Sequence, residues 1–125
     1  IIPFIMYIGA IFWTLGFDTI YGYQDINDDE IIGVKSTSIK FKKSPKIFIG
    51  ICYSITIFSF FLTGYLMEFK YIYYFFLVAP ILHLLIYQLA NLKTENSTVC
   101  LRLFKSNNLF GLIIFLNFLL GKLSL

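Results

Sequence analysis

The chain has 125 residues, 58% of them hydrophobic, 20% aromatic and only 14% charged, with a formal net charge of +3. A soluble domain carries roughly 45–50% apolar and about 25% charged residues. With a mean hydropathy of +0.80, this composition excludes an ordinary soluble domain and points to a membrane protein; no nucleic-acid partner is expected.

Residue 1 is Ile rather than Met, so the chain is expected to be a fragment or a processed product. The first segment has neither a basic leader nor a small-residue cleavage site and does not read as a signal peptide. Residues 1–17 carry no charge and are near the shortest stretch that crosses roughly 30 Å of hydrocarbon. Trp13 and Tyr21 are expected to mark its interface. A polar segment follows, residues 18–46, ending in the basic run Lys40, Lys42, Lys43 and Lys46. Ser44-Pro45 then suits the start of a helix. Residues 47–66 are uncharged and, as a helix, would be about 30 Å long, one bilayer core. Residues 71–92 form a second uncharged run, containing Pro80, His83 and Gln88. Residues 93–105 read as a polar loop, and 107–125 as a last span. Nothing alternates with period two. The expected fold class is all-α, a polytopic transmembrane bundle with about four spans in one domain.

Eight of the ten Lys and Arg residues lie in the first and third connections; only Lys70 and Lys122 lie on the opposite side. By the positive-inside rule both connections face the cytoplasm, including the motif loop 18–46. Cys52 and Cys100 give neither a disulfide framework nor a metal spacing.

All four aspartates, Asp18, Asp25, Asp28 and Asp29, fall in the first polar segment. If the first helix continues out of the membrane, Asp25 and Asp29 lie within about 20° of Asp18 around its axis, and Asp28 about 80° away. Like charges on one face destabilise a helix unless a cation joins them. The candidate ligands are hard oxygens with no Cys or His beside them, which favours Mg²⁺ over zinc. Magnesium takes few carboxylates and completes its shell with water and phosphate, so a phosphate or diphosphate is the expected second ligand. An EF-hand is excluded: counted from Asp25, its glycine and glutamate positions hold Glu30 and Ser36. The other reading is a solvated loop whose charges serve topology. Gly33-Val34-Lys35-Ser36-Thr37 follows directly, with a lysine and two hydroxyls suited to the remaining oxygens of a metal-bound diphosphate; as an alternative it is an ordinary turn. It is not a P-loop.

DxxYxxxDxxxD at Asp18, Tyr21, Asp25 and Asp29, with GVKST at Gly33 to Thr37, resembles the second aspartate-rich motif of the UbiA superfamily of intramembrane prenyltransferases. Phe104-Lys105-Ser106-Asn107-Asn108 through Gly111 resembles the FKxNNxxG stretch of its 4-hydroxybenzoate polyprenyltransferase branch. The resemblance spans essentially the whole chain as the C-terminal half of such an enzyme. It implies a nine-helix fold, of which this chain supplies the sixth to ninth, in a cell inner membrane. It also implies Mg²⁺ held by Asp25, Asp29 and Asp18, with Lys35 and Tyr21 at the diphosphate. The substrates it implies are a polyprenyl diphosphate and an aromatic acceptor, 4-hydroxybenzoate in ubiquinone biosynthesis. The family's first aspartate-rich motif is absent here, so the chain alone is expected to be inactive, its N-terminal half being the missing partner. Rival readings are another acceptor (naphthoate, haem or a chlorophyll precursor), a cation-coupled transporter, or a membrane scaffold. Aspartates at the membrane edge rather than its middle argue against transport. His83 is expected to be a hydrogen-bonded packing residue.

Overall fold

The computed structural model describes residues 1–33 and 35–123. Val34 of the GVKST stretch, and the last two residues of the final expected span, lie outside the described residues. The described residues form seven helices and no strand: α1 Ile2–Gly22, α2 Ile26–Ile32, α3 Thr37–Lys40, α4 Pro45–Leu66, α5 Tyr71–Leu82, α6 Ser97–Lys105 and α7 Asn107–Leu123. A π-helical turn, His83–Leu89, continues α5. Four stretches are long and apolar enough to cross a membrane: Ile2–Gly22, Pro45–Leu66, Tyr71–Leu89 and Ser97–Leu123. The chain is thus an all-α polytopic membrane bundle.

α1 packs mainly along α4, and α5 along α7. The first pair is close because small residues meet across it. A Cβ on Gly16 would come within 2.4 Å of the Tyr53 ring, and one on Gly9 within 2.6 Å of Ser59 Oγ. Without a hydrophobic effect between helices in lipid, such close backbone approach and hydrogen bonding drive association. Thr56 donates to the Gly9 carbonyl at 3.1 Å, and Ser59 donates to that of Ile5. Tyr53, Tyr73, Ile49, Leu84, Leu103 and Phe110 fill the core.

Helix ends follow local chemistry. Pro45 opens α4, where a missing N–H costs nothing. The end of α4 is closed by Glu68 N–H on the Tyr65 carbonyl (3.1 Å) and Phe69 N–H on that of Gly64 (3.0 Å), with Glu68 left-handed at φ 58°. Pro80 lies inside α5, and three residues later the helix widens into the π turn; a proline removes one ladder bond and crowds the carbonyl four residues back.

Residues 93–105 are not a simple polar loop. Asn96 accepts from Val99 N–H at 3.1 Å and starts α6, whose Cys100 and Leu103 turn inward while Arg102 and Lys105 face out. Only Ser106 separates α6 from α7.

Candidate functional site

The aspartates do not share one helix. At the end of α1 the ladder tightens to three-residue bonds: Tyr23 N–H to the Ile20 carbonyl (3.2 Å), Gln24 to Tyr21 (3.1 Å) and Asp25 to Gly22 (3.4 Å). A new helix, α2, starts from Asp25. The expected single face through Asp18, Asp25 and Asp29 is therefore broken between the first two. Gly22 is a weak helix former, and the α3 segment presses against it: a Cβ there would lie 2.1 Å from Ser38 Oγ. Asp28 and Asp29 fall in the first turn of α2, where the helix dipole favours negative charge without any metal. Asp18, Asp25 and Asp28 are exposed, and Asp29 half-buried.

Among the described residues no three Asp, Glu, His or Cys side chains converge to hold a metal ion. The donor set still suits a hard cation that takes one or two carboxylates. These are oxygen donors, and among the described residues the ion pair nearby joins Lys42 to Glu30 at 2.5 Å and involves no aspartate.

The segment after α2 is fixed to α1 beside Asp18. Gly33 ends α2 with φ 80°, a backbone that a glycine adopts without strain. Ser36 accepts from Ile39 N–H and caps α3. The Thr19 hydroxyl donates to the Leu15 carbonyl at 2.7 Å, leaving its oxygen to accept from Thr37 Oγ1 at 2.6 Å. Ser38 Oγ donates to the Thr19 carbonyl at 2.7 Å. Lys35 is exposed at the edge of a cavity of about 410 Å³ with Ser36, Thr37, Ile39 and Lys40.

On α1, Phe4, Tyr7, Ile11, Thr14, Asp18 and Tyr21 are exposed at steps of three and four residues, one stripe of the helix. Along it a groove of about 350 Å³ runs from Tyr7 past Ile11 and Thr14 to Asp18. Tyr21 packs its ring against Phe104 of α6, centroids 4.6 Å apart.

Behind this stripe lies a buried polar cluster joining all four spans. Trp13 Nε1 donates to Asn107 Oδ1 (2.8 Å), Gln88 Nε2 donates to the same oxygen (3.0 Å), and Tyr53 OH donates to Gln88 Oε1. His83 Nδ1 lies 3.3 Å from Gln88 Nε2. Trp13 thus points into the bundle rather than marking an interface, and His83 is buried as a packing residue.

The UbiA prenyltransferase family pattern matches residues 1–119. The chain belongs to the UbiA prenyltransferase family. It is 38% identical over 118 residues to the mitochondrial 4-hydroxybenzoate polyprenyltransferase of Dictyostelium discoideum, covering 94% of this chain and 25% of that protein. It is 38% identical over 122 residues to 4-hydroxybenzoate geranyltransferase 2 of Lithospermum erythrorhizon, covering 98% and 40%. Against the 4-hydroxybenzoate octaprenyltransferase of Photobacterium profundum it is 32% identical over 116 residues, covering 93% and 40%. The chain therefore spans between a quarter and two fifths of these relatives' length. No solved structure matches it.

In this UbiA chain the Trp13–Asn107–Gln88 cluster was not legible from sequence. In an α-helix His83 and Gln88, five residues apart, would lie about 140° from each other; the π turn brings them together. The sequence signal was two polar residues, His83 and Gln88, inside an apolar run, which in membranes seldom occur without a partner.

Proposed function

We propose that the chain is part of a Mg²⁺-dependent membrane transferase that moves a polyprenyl group from its diphosphate to 4-hydroxybenzoate, in ubiquinone biosynthesis. The observation that carries this reading is the α1 groove, with mostly apolar walls and a carboxylate at one end. An amphipathic substrate with a long hydrocarbon tail and an anionic head has that outline. The relatives' names support the acceptor.

In this reading Asp25 and Asp29, with Asp18, hold the metal, and Lys35 and Tyr21 lie at the diphosphate. Bound Mg²⁺ would offset the charge that builds on the leaving diphosphate. Lys35 adds a positive charge to the same oxygens. The apolar stripe of α1 keeps water from the allylic carbon, which the acceptor ring attacks ortho to its hydroxyl. The proton of that ring carbon passes to the released diphosphate as aromaticity returns. The site is completed by residues of the longer enzyme, so this chain alone is inactive. The segments at residues 18–46 and 93–105 face the cytoplasm, across an inner membrane.

The test joins this chain to the N-terminal portion of the Photobacterium profundum relative and follows transfer of a labelled prenyl group to 4-hydroxybenzoate. The chimera should be active, and a chelator should stop it. Asp18→Asn, Asp25→Asn and Asp29→Asn should each lower the rate roughly a hundredfold or more, a loss of several kcal/mol of transition-state stabilisation. Asp28→Asn should do less. Full activity in all four variants, or robust transfer by the 125-residue chain alone, would sink the reading.

A further inference from the structure

Asn107 stands where α6 meets α7 and is buried among the spans. Its Oδ1 accepts from Trp13 Nε1 and Gln88 Nε2. Its Nδ2 donates to the carbonyls of Leu103 (3.3 Å) and Phe104 (3.1 Å). Two N–H donors meeting one atom identify that atom as the oxygen, so the orientation of the amide follows from its partners. No water is at hand in hydrocarbon to replace these bonds.

The two ends of this side chain do different things. The oxygen ties the joint to α1 through Trp13. The amide joins Ser106, whose Oγ donates to the Leu103 carbonyl at 2.6 Å, in closing the end of α6, and its bond to the Phe104 carbonyl bears on the direction of that residue. The Phe104 ring lies 4.6 Å from that of Tyr21 and 5.7 Å from that of Phe17, centroid to centroid. Phe17 and Tyr21 bracket Asp18 in sequence. Trp13 also meets Phe17 edge-on at 5.3 Å.

We infer that Asn107 is a positioning residue: it locks α6 against α1 so that Phe104 braces the turn of α1 carrying Asp18. This rests on the prenyl-transfer reading, which makes that turn the site. Asparagine is suited because one head group supplies both acceptor and donor. Leucine keeps the branching at Cγ and supplies neither.

The chain contains one tryptophan, so Trp13 reports on the lock directly. The experiment uses the chain in bilayer nanodiscs with Cys52 and Cys100 changed to Ser. One cysteine pair, Tyr21→Cys with Phe104→Cys, reads the α1–α6 contact by cross-linking. A second pair, Ile5→Cys with Ser59→Cys, reads α1–α4 packing. Asn107→Leu should cut the first cross-link severalfold, leave the second unchanged, and shift Trp13 emission and its N–H vibrational signature to those of an indole without an acceptor. Asn107→Asp, which keeps an acceptor oxygen but cannot donate to both carbonyls, should keep the Trp13 signature while the first cross-link falls. If Asn107→Leu leaves the first cross-link intact, or if both cross-links fall together in both variants, the proposal is overturned. Cross-linking and spectroscopy read geometry alone, so a chain with no transferase role would still give the expected result.

Discussion

Thr37 donates its hydroxyl to Thr19 across 2.6 Å, joining the segment after the aspartates to the helix turn that carries Asp18. With Ser38 on the Thr19 carbonyl, this contact decides where Lys35 can reach. A hydrogen bond of this kind is worth about 1 kcal/mol, and Thr19 keeps its bond to the Leu15 carbonyl when it is lost. Thr37→Val keeps the shape and removes the hydroxyl. Limited proteolysis between α2 and α4 should speed up several-fold, while Thr14→Val, on the exposed stripe, should leave it unchanged. Equal protection in both variants would mean that the segment is held by other contacts.

The α1–α4 seam gives a second expectation. A Cβ at Gly16 meets Tyr53 Cε1 at 2.4 Å, and Tyr53 is itself fixed by its hydroxyl on Gln88. The ring has no free direction in which to yield. Overpacking of this sort costs roughly 1–3 kcal/mol. Gly16→Ala should lower the thermal midpoint of the chain in detergent by several degrees. Gly111→Ala, where the nearest atom is 3.7 Å away, should be close to neutral. Matching midpoints for the two variants would argue against close packing at the seam.

What the sequence disclosed follows from which signals are local. Uncharged runs and Ser44-Pro45 each depend on a few neighbouring residues, and from them an all-α polytopic bundle follows. The continuity of α1 through Asp25 depended instead on a distant residue, Ser38, which presses on Gly22. Helical angles counted along the chain could not register that. Asn107 was noticed only as a letter in the FKSNN stretch, because its partners Trp13 and Gln88 lie on other helices. The helix α6 was hidden by its polar composition; its capping residue, Asn96, was the available clue.

The lysine distribution sets a third expectation, for orientation. Ser44 and Ser97 are exposed at the ends of the two lysine-rich connections, and Glu68 is exposed in the opposite one. The native Cys52 and Cys100 are buried, so background labelling should be low. In intact cells a membrane-impermeant thiol reagent should label Glu68→Cys and spare Ser44→Cys and Ser97→Cys until the membrane is opened. Labelling of the serine positions in sealed cells would reverse the orientation.

Tyr23 supplies a pH-dependent expectation. It lies just beyond α1, is only 3% exposed, and its hydroxyl has no hydrogen-bond partner among the described residues. Burial, with a smaller contribution from nearby Cys100, pushes its pKa up from 10.0 to about 12. The folded value therefore exceeds the unfolded one. Below pH 10 both states hold the proton and the folded state is unaffected. Between pH 10 and about 12 the unfolded chain releases the proton while the folded chain keeps it, so stability falls as pH rises. Tyr23→Phe removes this titration and also removes a buried hydroxyl that lacks a partner, whose burial is unfavourable. At neutral pH the variant should be as stable as the parent or slightly more so. From pH 10 upward its advantage should widen. Thermal melts of both proteins from pH 8 to 12 check this, since the difference between the curves cancels the other tyrosines. A constant difference across that range, or a variant clearly less stable at neutral pH, would show that the hydroxyl is hydrogen-bonded in the folded protein.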